Sequence, residues 1–346
     1  MRIRKHVVGT LTKCYAVAPV CYKGEDCFLV AAEKKDACLL FSVDGTMRDT
    51  VWTLPGGTMS IVQVPGSDGA FLATQQFYSP NDSAAARIVY VRPAANGWQV
   101  QTVAPLPFVH RFDIISRGGV NYLIACTIKS DHHYKDDWSS PGKVYAAELP
   151  DDIARAGAVQ PLHFTVVQDG LTKNHGYTRD MHDGVPTAII SAENGVFRFT
   201  PPAHRGGTWS VEQLLDTPAS DAILCDLDGD GKKELAVMAP FHGDSFAIYA
   251  PDGERYRQVY VHPEPMEFLH AIAAGPVCGK ERVIIGHREG KRALMAFTFE
   301  RGAYRAEEID RDCGPANVCV LRRDGVDVVV SAHRETNEIA LYELLP

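Results

Sequence analysis

The chain has 346 residues, of which 45% are apolar and 23% charged, a composition typical of a folded globular protein and not of a disordered one. Its formal net charge of −8 argues against nucleic acid or an anionic membrane surface as the main partner. No run of about 18 consecutive apolar residues occurs, so we expect no membrane-spanning helix.

The N-terminal segment and the cysteines favour a cytoplasmic location. The basic start is followed by a short apolar stretch that Thr10, Thr12 and Lys13 interrupt, so a signal peptide is not expected. The nine cysteines are odd in number, form no CxxC pair and mostly lie inside apolar, strand-like runs. Thiols in such positions are typical of buried residues in a reducing compartment.

Short runs of β-branched and aromatic residues, separated by Gly, Asp, Asn and Pro, follow one another along the whole chain. After a polar strand at 4–11, units begin near residues 14, 59, 110, 175, 221, 270 and 317. The clearest pair, 221–262 and 270–310, shares one order: a strand, a turn, a strongly apolar strand, a turn, an aromatic strand and a more polar strand. Helix is expected only at 150–156 and 211–215.

Seven units over this length give about 49 residues each, the size of a β-propeller blade. The last unit stops after three strands, and the strand at 4–11 resembles the polar outer strand of the other units. We therefore predict an all-β fold, a single seven-bladed β-propeller over residues 1–346 with four-stranded antiparallel blades. The N-terminal strand would complete blade 7 and remove the open sheet edge. Six or eight blades remain alternatives, because blades 1 and 2 match the repeat least well.

The connection between the second and third strands of blade 3, residues 129–142, is unusually long and rich in polar and aromatic side chains. Strand order places it on the face where first strands begin. We predict that His132, His133, Tyr134 and Lys135 contribute to a catalytic site there. Tyr134 and Trp138 could stack on a sugar ring, and the alternative is a mobile polar loop.

An acidic loop separates the first two strands of blade 5. Asp226, Asp228, Asp230 and Glu234 alternate with glycines and other residues, a pattern of oxygen ligands that suits a hard cation. This segment resembles the FG-GAP/VCBS type of propeller repeat, and the resemblance implies Ca²⁺ in the loop. An EF-hand would need Glu where Val237 stands. The alternative is a solvated turn without an ion.

Eight of the 13 histidines lie at two related places in the repeat, the start of the first strand and the end of the second. Both places belong to one face of a propeller, near the channel axis. The eight residues are His110, His132, His133, His175, His242, His270, His287 and His333.

Several imidazoles around a channel suit a divalent transition metal, Zn, Mn, Fe or Ni. We predict that the metal ligands come from His175, His242, His270, His287 and His333. Imidazole also titrates near neutral pH, which makes His110 a candidate general base. Lys135 and Arg334 are candidate anchors for an anionic group. For each single histidine, the alternative is a hydrogen-bonded structural residue.

In blade order and histidine placement the chain is also loosely similar to the propeller domains of sugar lyases and of aldos-2-ulose dehydratase. This resemblance implies metal-binding histidines at the channel mouth. We expect a metal-dependent lyase, dehydratase or isomerase that acts on a carbohydrate. The substrate would be a uronate or a keto-sugar, either as a small molecule or within an oligosaccharide. The alternatives are a lactonase-type metal-dependent hydrolase and a non-catalytic carbohydrate- or protein-binding propeller. GxSxG, HExxH and Walker A motifs are absent, which disfavours serine hydrolases, zincins and nucleotide-binding folds.

Overall fold

The computed structural model of the chain describes residues 2–157, 159–253 and 255–345. These residues form 28 strands, numbered β1–β28 in chain order, in seven antiparallel sheets of four strands. The helical element of the described residues is one turn of 3-10 helix, Ile153–Arg155. Among the described residues, no helix has the length and apolar character needed to cross a membrane.

The first four blades follow one another along the chain, each running from its inner to its outer strand. Blade 1 contains β2 (Cys14–Tyr22), β3 (Glu25–Ala32), β4 (Cys38–Ser42) and β5 (Met47–Trp52). Blade 2 contains β6 (Ile61–Gln63), β7 (Phe71–Gln75), β8 (Arg87–Ala94) and β9 (Gly97–Pro105). Blade 3 contains β10 (Val109–Arg117), β11 (Val120–Thr127), β12 (Gly142–Glu148) and β13 (Thr165–Leu171). Blade 4 contains β14 (Gly176–His182), β15 (Val185–Ala192), β16 (Gly195–Thr200) and β17 (Ser210–Leu215).

The last three blades include the closure of the ring. Blade 5 contains β18 (Asp221–Cys225), β19 (Glu234–Ala239), β20 (Ser245–Asp252) and β21 (Arg255–Val261). Blade 6 contains β22 (Leu269–Val277), β23 (Lys280–His287), β24 (Leu294–Glu300) and β25 (Ala303–Asp310). Blade 7 contains β26 (Pro315–Arg323), β27 (Val326–His333), β28 (Glu338–Leu345) and, as its outer strand, β1 (Arg2–Thr10).

The two ends of the chain meet in blade 7. Strand β1 pairs antiparallel with β28, from Arg2 opposite Leu345 to Thr10 opposite Glu338. The first strands of successive blades contact one another around the full circle, and β26 contacts β2. The prediction of an all-β, seven-bladed propeller with the N-terminal strand completing the last blade is therefore confirmed.

The second strand of each blade supplies much of the core. Val328, Val329 and Val330 of β27 have no exposed surface, and Ile284 and Ile285 of β23 are equally buried. Such a strand lies between two neighbouring sheets and is apolar on both of its faces, so it reads in the sequence as a continuous apolar run. These runs are what made the repeat visible.

The helix expectations are corrected in part. Residues 211–215 are not helical, because they belong to β17 and pair with β16, with Val211 opposite Phe199 and Leu215 opposite Val196. The outer strand of a blade contacts the core on one side only, so apolar and polar residues are mixed along its sequence. Within 150–156, only Ile153–Arg155 form a 3-10 turn, and the Asp152 side chain caps it by accepting from the Ala154 N–H.

Candidate metal centre

Seven equivalent positions form a ring around one end of the channel, at the start of each first strand. In four blades the residue at this position is the extra residue of a β-bulge, and its side chain leaves the normal alternation of the strand. These four are Tyr15, His110, His270 and Ala316. The hydrogen bonds around the ring show that Ser60, His175 and Ser220 are their equivalents in blades 2, 4 and 5.

The main chain of the next blade orients each histidine of this ring. Nδ1 of His110, His175 and His270 lies 3.1, 3.2 and 2.7 Å from the carbonyl oxygens of His175, Ser220 and Ala316. Because a carbonyl can only accept, each Nδ1 must carry the proton and donate it. Each neutral imidazole is thereby fixed in the tautomer whose Nε2 has a free lone pair, as in metal-binding histidines.

His242 reaches the same place from the turn that follows β19. Its ring stacks against Phe268, with 4.2 Å between ring centroids. One ligand nitrogen from each of His175, His242 and His270 lies within 4.8 Å of the other two. The Nε2 atoms of His175 and His242 are buried and have no hydrogen-bond partner among the described residues. Buried lone pairs of this kind need an explanation, and a shared metal ion fits the donor set.

The imidazoles are held in the neutral form. Burial lowers the pKa of His175 to about 3, and the positive charge of Arg111 acts in the same direction. Burial also holds the pKa values of His110, His242 and His270 well below the usual range, and charge on neighbouring groups adds to the effect. Neutral imidazole is the form that binds a metal, so no proton has to be displaced at neutral pH.

Tyr15 joins the cluster from blade 1. Its hydroxyl oxygen lies 3.4 Å from Nε2 of His110 and 3.2 Å from Nε2 of His270. The phenol has one proton, so it donates to one of these nitrogens at a time. Burial raises the pKa of Tyr15 to about 12, which keeps that proton in place at neutral pH.

The next residue along each first strand forms a second layer below the histidines. It is Arg111 in blade 3, Gly176 in blade 4, Asp221 in blade 5 and Asn317 in blade 7. Asp221 is buried, and burial raises its pKa to about 7 although Arg111 opposes the shift. A Cβ on Gly176 would lie 2.6 Å from the carbonyl oxygen of Ser220, so only glycine allows blades 4 and 5 to approach here.

The structure brings together His110, His175, His242 and His270 but places two other predicted ligands elsewhere. Both ring nitrogens of His287 form hydrogen bonds within the turn that follows β23. Nδ1 donates to the Glu289 carbonyl at 3.0 Å, and Nε2 accepts from the Ala293 N–H at 3.1 Å. His333 is fully buried beside Asp310 and Cys313, in a separate group of potential ligands.

Of the predicted catalytic residues of the blade-3 loop, three are exposed and His132 is half-buried, and all four lie outside the cluster. Tyr134 is 68% exposed, His133 and Lys135 are exposed, and the ring of His132 packs edge-on against Phe108. The loop is anchored instead by Lys129, whose ammonium is buried and lies 4.2 Å from the centre of the Trp138 ring. In the described part of the chain, no hydrogen bond or ring contact joins the loop's two histidines or Tyr134 to the four imidazoles.

Arg334 lies near the mouth, but acidic neighbours compensate its charge. It forms ion pairs with Glu33 and with Glu335, the latter at 2.8 Å. Arg288 binds the same Glu335 oxygen at 2.9 and 2.7 Å. Both arginines line a cavity of about 520 Å³ together with Phe268. The side chains of Arg288 and Arg334 therefore form ion pairs that stabilise the edge of this cavity.

The acidic loop lies between β18 and β19, at the opposite end of blade 5 from the histidines. Ligand atoms of Asp226, Asp228 and Glu234 lie within 4.8 Å of one another, so these three could hold a cation, whereas Asp230 is outside the group. Asp226 also accepts from the N–H groups of Gly229 and Gly231, which closes the turn.

Sequence reasoning missed Tyr15, and it gave Arg111 no role. The signal for Tyr15 was its place in the repeat, immediately after Cys14 as His110 follows Val109. Blade 1 matched the repeat weakly, and a tyrosine did not stand out in a search for histidines. Arg111 was visible only as the neighbour of His110, since a first-strand residue gives no sign in the sequence that it lines a channel.

No protein-family model matches the chain, and no curated protein matches it. Among solved structures, it is similar to the β-propeller domain of Cps50 (Swd1) from Myceliophteria thermophila, with 8% identity, a TM-score of 0.62 and coverage of 98% of this chain and 99% of that chain. It is also similar to a putative 6-phosphogluconolactonase from Bacteroides uniformis ATCC 8492, with 12% identity, a TM-score of 0.58 and coverage of 96% and 92%. At such identities the likeness establishes the propeller fold alone.

Proposed function

We propose that this chain is a metal-dependent enzyme that acts on a carbohydrate by lyase, dehydratase or isomerase chemistry at the channel mouth. The proposal rests on the ligand nitrogens of His175, His242 and His270, which lie within 4.8 Å of one another. A divalent Zn, Mn, Fe or Ni ion bound there would act as a Lewis acid on a sugar carbonyl or carboxylate and acidify the neighbouring C–H.

Tyr15 and His110 would move the proton. His110 is not one of the three grouped ligands, and its Nε2 lies 3.4 Å from the Tyr15 hydroxyl. As a proton leaves the substrate carbon, the Tyr15 oxygen accepts it while the phenolic proton passes to Nε2 of His110. The reverse transfer would return a proton to the leaving group or to the neighbouring carbon. These roles replace those predicted for the exposed loop residues.

A lactonase-type hydrolase is the second candidate function. Three histidine ligands leave a coordination position open, and catalytic zinc sites of this kind use that position for water. The two candidates use the same residues and differ in their products. Elimination next to a carboxylate or carbonyl creates a conjugated double bond that absorbs in the ultraviolet, whereas lactone hydrolysis creates an acid without this absorbance.

The test is a product screen on metal-loaded protein, with uronate-containing oligosaccharides, keto-sugars and sugar lactones as substrates. We expect His242→Ala to lose both metal and turnover, and Tyr15→Phe to retain the metal while turnover falls by about 10²-fold or more. His204→Gln, at an exposed histidine, serves as the matched control and should match the parent protein. Undiminished turnover after chelation, or in His242→Ala, would rule the proposal out. Absence of turnover together with absence of a transition metal would favour a binding propeller.

We also propose a reducing, cytoplasmic location. All nine cysteine thiols are free, and six of the nine are buried. Burial raises the pKa of Cys319 to about 12, which keeps that thiol protonated and unreactive. Protein denatured at lysis in the presence of an alkylating reagent should show nine modified thiols, and disulfides at this step would contradict the assignment.

A further inference from the structure

A cavity of about 730 Å³ occupies the channel below the histidines. This volume lies within the range of small-molecule sites, roughly 300–1,000 Å³. Most of its walls come from the first strands of blades 1, 2, 3, 4 and 7, and the second strand of blade 1 adds Asp26 and Cys27. The inner end lies against the histidine layer, and the outer end reaches the far tips of the strands. The inner residues include Ala16, Ser60, Arg111 and Asn317, and the outer residues include Cys21, Asp26 and Arg322.

Arg111 brings a positive charge to the inner end, and no carboxylate of the described residues is in hydrogen-bond or ion-pair contact with it. Its Nη1 donates to the Met59 carbonyl at 2.7 Å, and its Nη2 donates to Oδ1 of Asn317 at 3.3 Å. Both acceptors are neutral, and no carboxylate of the described residues forms an ion pair with this guanidinium. Of the five N–H donors on an arginine, two are therefore accounted for.

Further donors at this end lack acceptors. Nε of Arg111 and Nδ2 of Asn317 are both buried without a hydrogen-bond partner in the described ranges. A partly buried cation with unused donors destabilises a fold unless something compensates it. An anion in the cavity would supply both the missing charge and the missing acceptors.

Arg179 lines the same cavity, and a carboxylate compensates its positive charge. Its Nε and Nη2 donate to the two carboxylate oxygens of Asp113 at 2.8 and 2.5 Å, and Tyr177 donates to the same carboxylate. Arg322 is compensated differently, by exposure to solvent at the outer end. Arg111 forms no ion pair of this kind and is half-buried; its charge acts on the buried Asp221 without a direct contact, and it lies 5.8 Å from the centre of the Tyr15 ring.

We propose that Arg111 and Asn317 bind the anionic group of a sugar inside the channel, a carboxylate or a phosphate on an otherwise neutral, hydroxyl-rich molecule. The planar guanidinium fork matches either group. Bound there, the sugar would present the carbon next to its anionic group to Tyr15 and the histidines, a consequence that rests on the proposed function. The anion site itself stands without the metal. It also replaces Lys135 and Arg334 as the anchor for the anion.

Isothermal titration calorimetry on metal-free protein tests the site, with glucuronate, glucose 6-phosphate and glucose as probes. We expect one or both anions to bind at least about 10-fold more tightly than glucose, with affinity falling as salt rises. Binding of glucuronate alone would identify a sugar acid, binding of the phosphate alone a sugar phosphate, and binding of both a general anion site. Equal affinity for glucose and the anions would overturn the proposal.

Variants locate the site. Arg111→Gln should weaken anion binding by about 10-fold or more, whereas Arg322→Gln, which removes an exposed charge at the outer end, should leave it unchanged. Arg111→Lys keeps the charge without the fork and should bind with intermediate affinity, which provides a readout if Arg111→Gln fails to fold. Equal losses in Arg111→Gln and Arg322→Gln would indicate a diffuse field and overturn the proposal. Because no metal is present, a failed turnover assay leaves this result unaffected.

Discussion

Which nitrogen of each imidazole carries the proton decides what the channel mouth can bind. His110, His175 and His270 all donate Nδ1–H to the main chain of the following blade, so their Nε2 atoms carry the free lone pairs. Burial keeps these rings neutral. A cluster that is neutral when folded and charged when unfolded must also make stability depend on pH.

Metal-free protein should lose stability as the pH falls from about 6.5 towards about 3. The pKa of His175 drops from 6.5 to about 3 on folding, and His110, His242 and His270 shift in the same direction, so the unfolded chain binds more protons in this window. Asp221, whose pKa rises to about 7, acts oppositely, but it is one group against four. Urea midpoints at about pH 7.5 and about pH 4.5 measure the slope, and His270→Gln should flatten it. A midpoint that rises on acidification would contradict this.

Gly176→Ala should destabilise the protein by about 2–4 kcal/mol. The added Cβ would lie 2.6 Å from the Ser220 carbonyl oxygen and 2.7 Å from Cα of Asp221, so backbone atoms of blade 5 would have to move. Gly275→Ala is the matched control on another first strand, because the nearest atoms, on Val320, are 3.9 Å away. Denaturant unfolding of both variants measures the difference in the free energy of unfolding. Equal stabilities would show that blades 4 and 5 can separate at Gly176 without a cost in free energy.

At the scale of strands and loops, the hydrophobic pattern predicted the blades but not the direction of the site residues. Continuous apolar runs such as Val328–Val330 must lie between sheets, so the second strands and their spacing were readable. A bulge shifts the register by one residue and is invisible in that pattern. For this reason nothing in the sequence indicated that Ala316, and not Asn317, holds the ring position in blade 7. Outer strands contact the core on one face, which is why 211–215 was mistaken for helix.

The acidic loop of blade 5 should bind Ca²⁺ through Asp226, Asp228 and Glu234, which lie together, and not through Asp230, which lies apart. Added Ca²⁺ should raise the melting temperature of the parent protein by a few degrees, about 2–4 °C, because it binds the folded form. Asp228→Asn should abolish that rise, and Asp230→Asn should keep it. If both variants lost the rise in melting temperature equally, the ion would not be bound by the three grouped carboxylates, or Ca²⁺ would act by non-specific screening.

The whole molecule is a closed ring, and its closure depends on β1. This strand covers β28 along its length, and the Lys5 ammonium lies 2.8 Å from the Asp310 carboxylate, which ties blade 7 to blade 6. Closure also fixes the distance between His270 in blade 6 and Tyr15 in blade 1, which lie on opposite sides of blade 7. The geometry of the cluster is thus a property of the complete ring.

Deletion of residues 2–10 should lower stability by about 5 kcal/mol or more, because it exposes β28 as an open edge and uncovers buried side chains such as Leu344. Arg4→Ala, at an exposed side chain of the same strand, should stay within about 0.5 kcal/mol of the parent protein. Equilibrium unfolding measures both. A deletion variant with the parent's midpoint would show that three strands suffice for blade 7.

The central claim, a transition metal held by three channel histidines, is tested most directly by inductively coupled plasma mass spectrometry of untagged protein purified without chelators. We predict about one equivalent of Zn, Mn, Fe or Ni per chain. The metal should be lost in His175→Ala and His242→Ala and retained in His287→Gln, because both nitrogens of His287 are bonded within its own turn. Absence of a transition metal from the parent protein, or full metal content in the His175→Ala/His242→Ala double variant, would contradict the account.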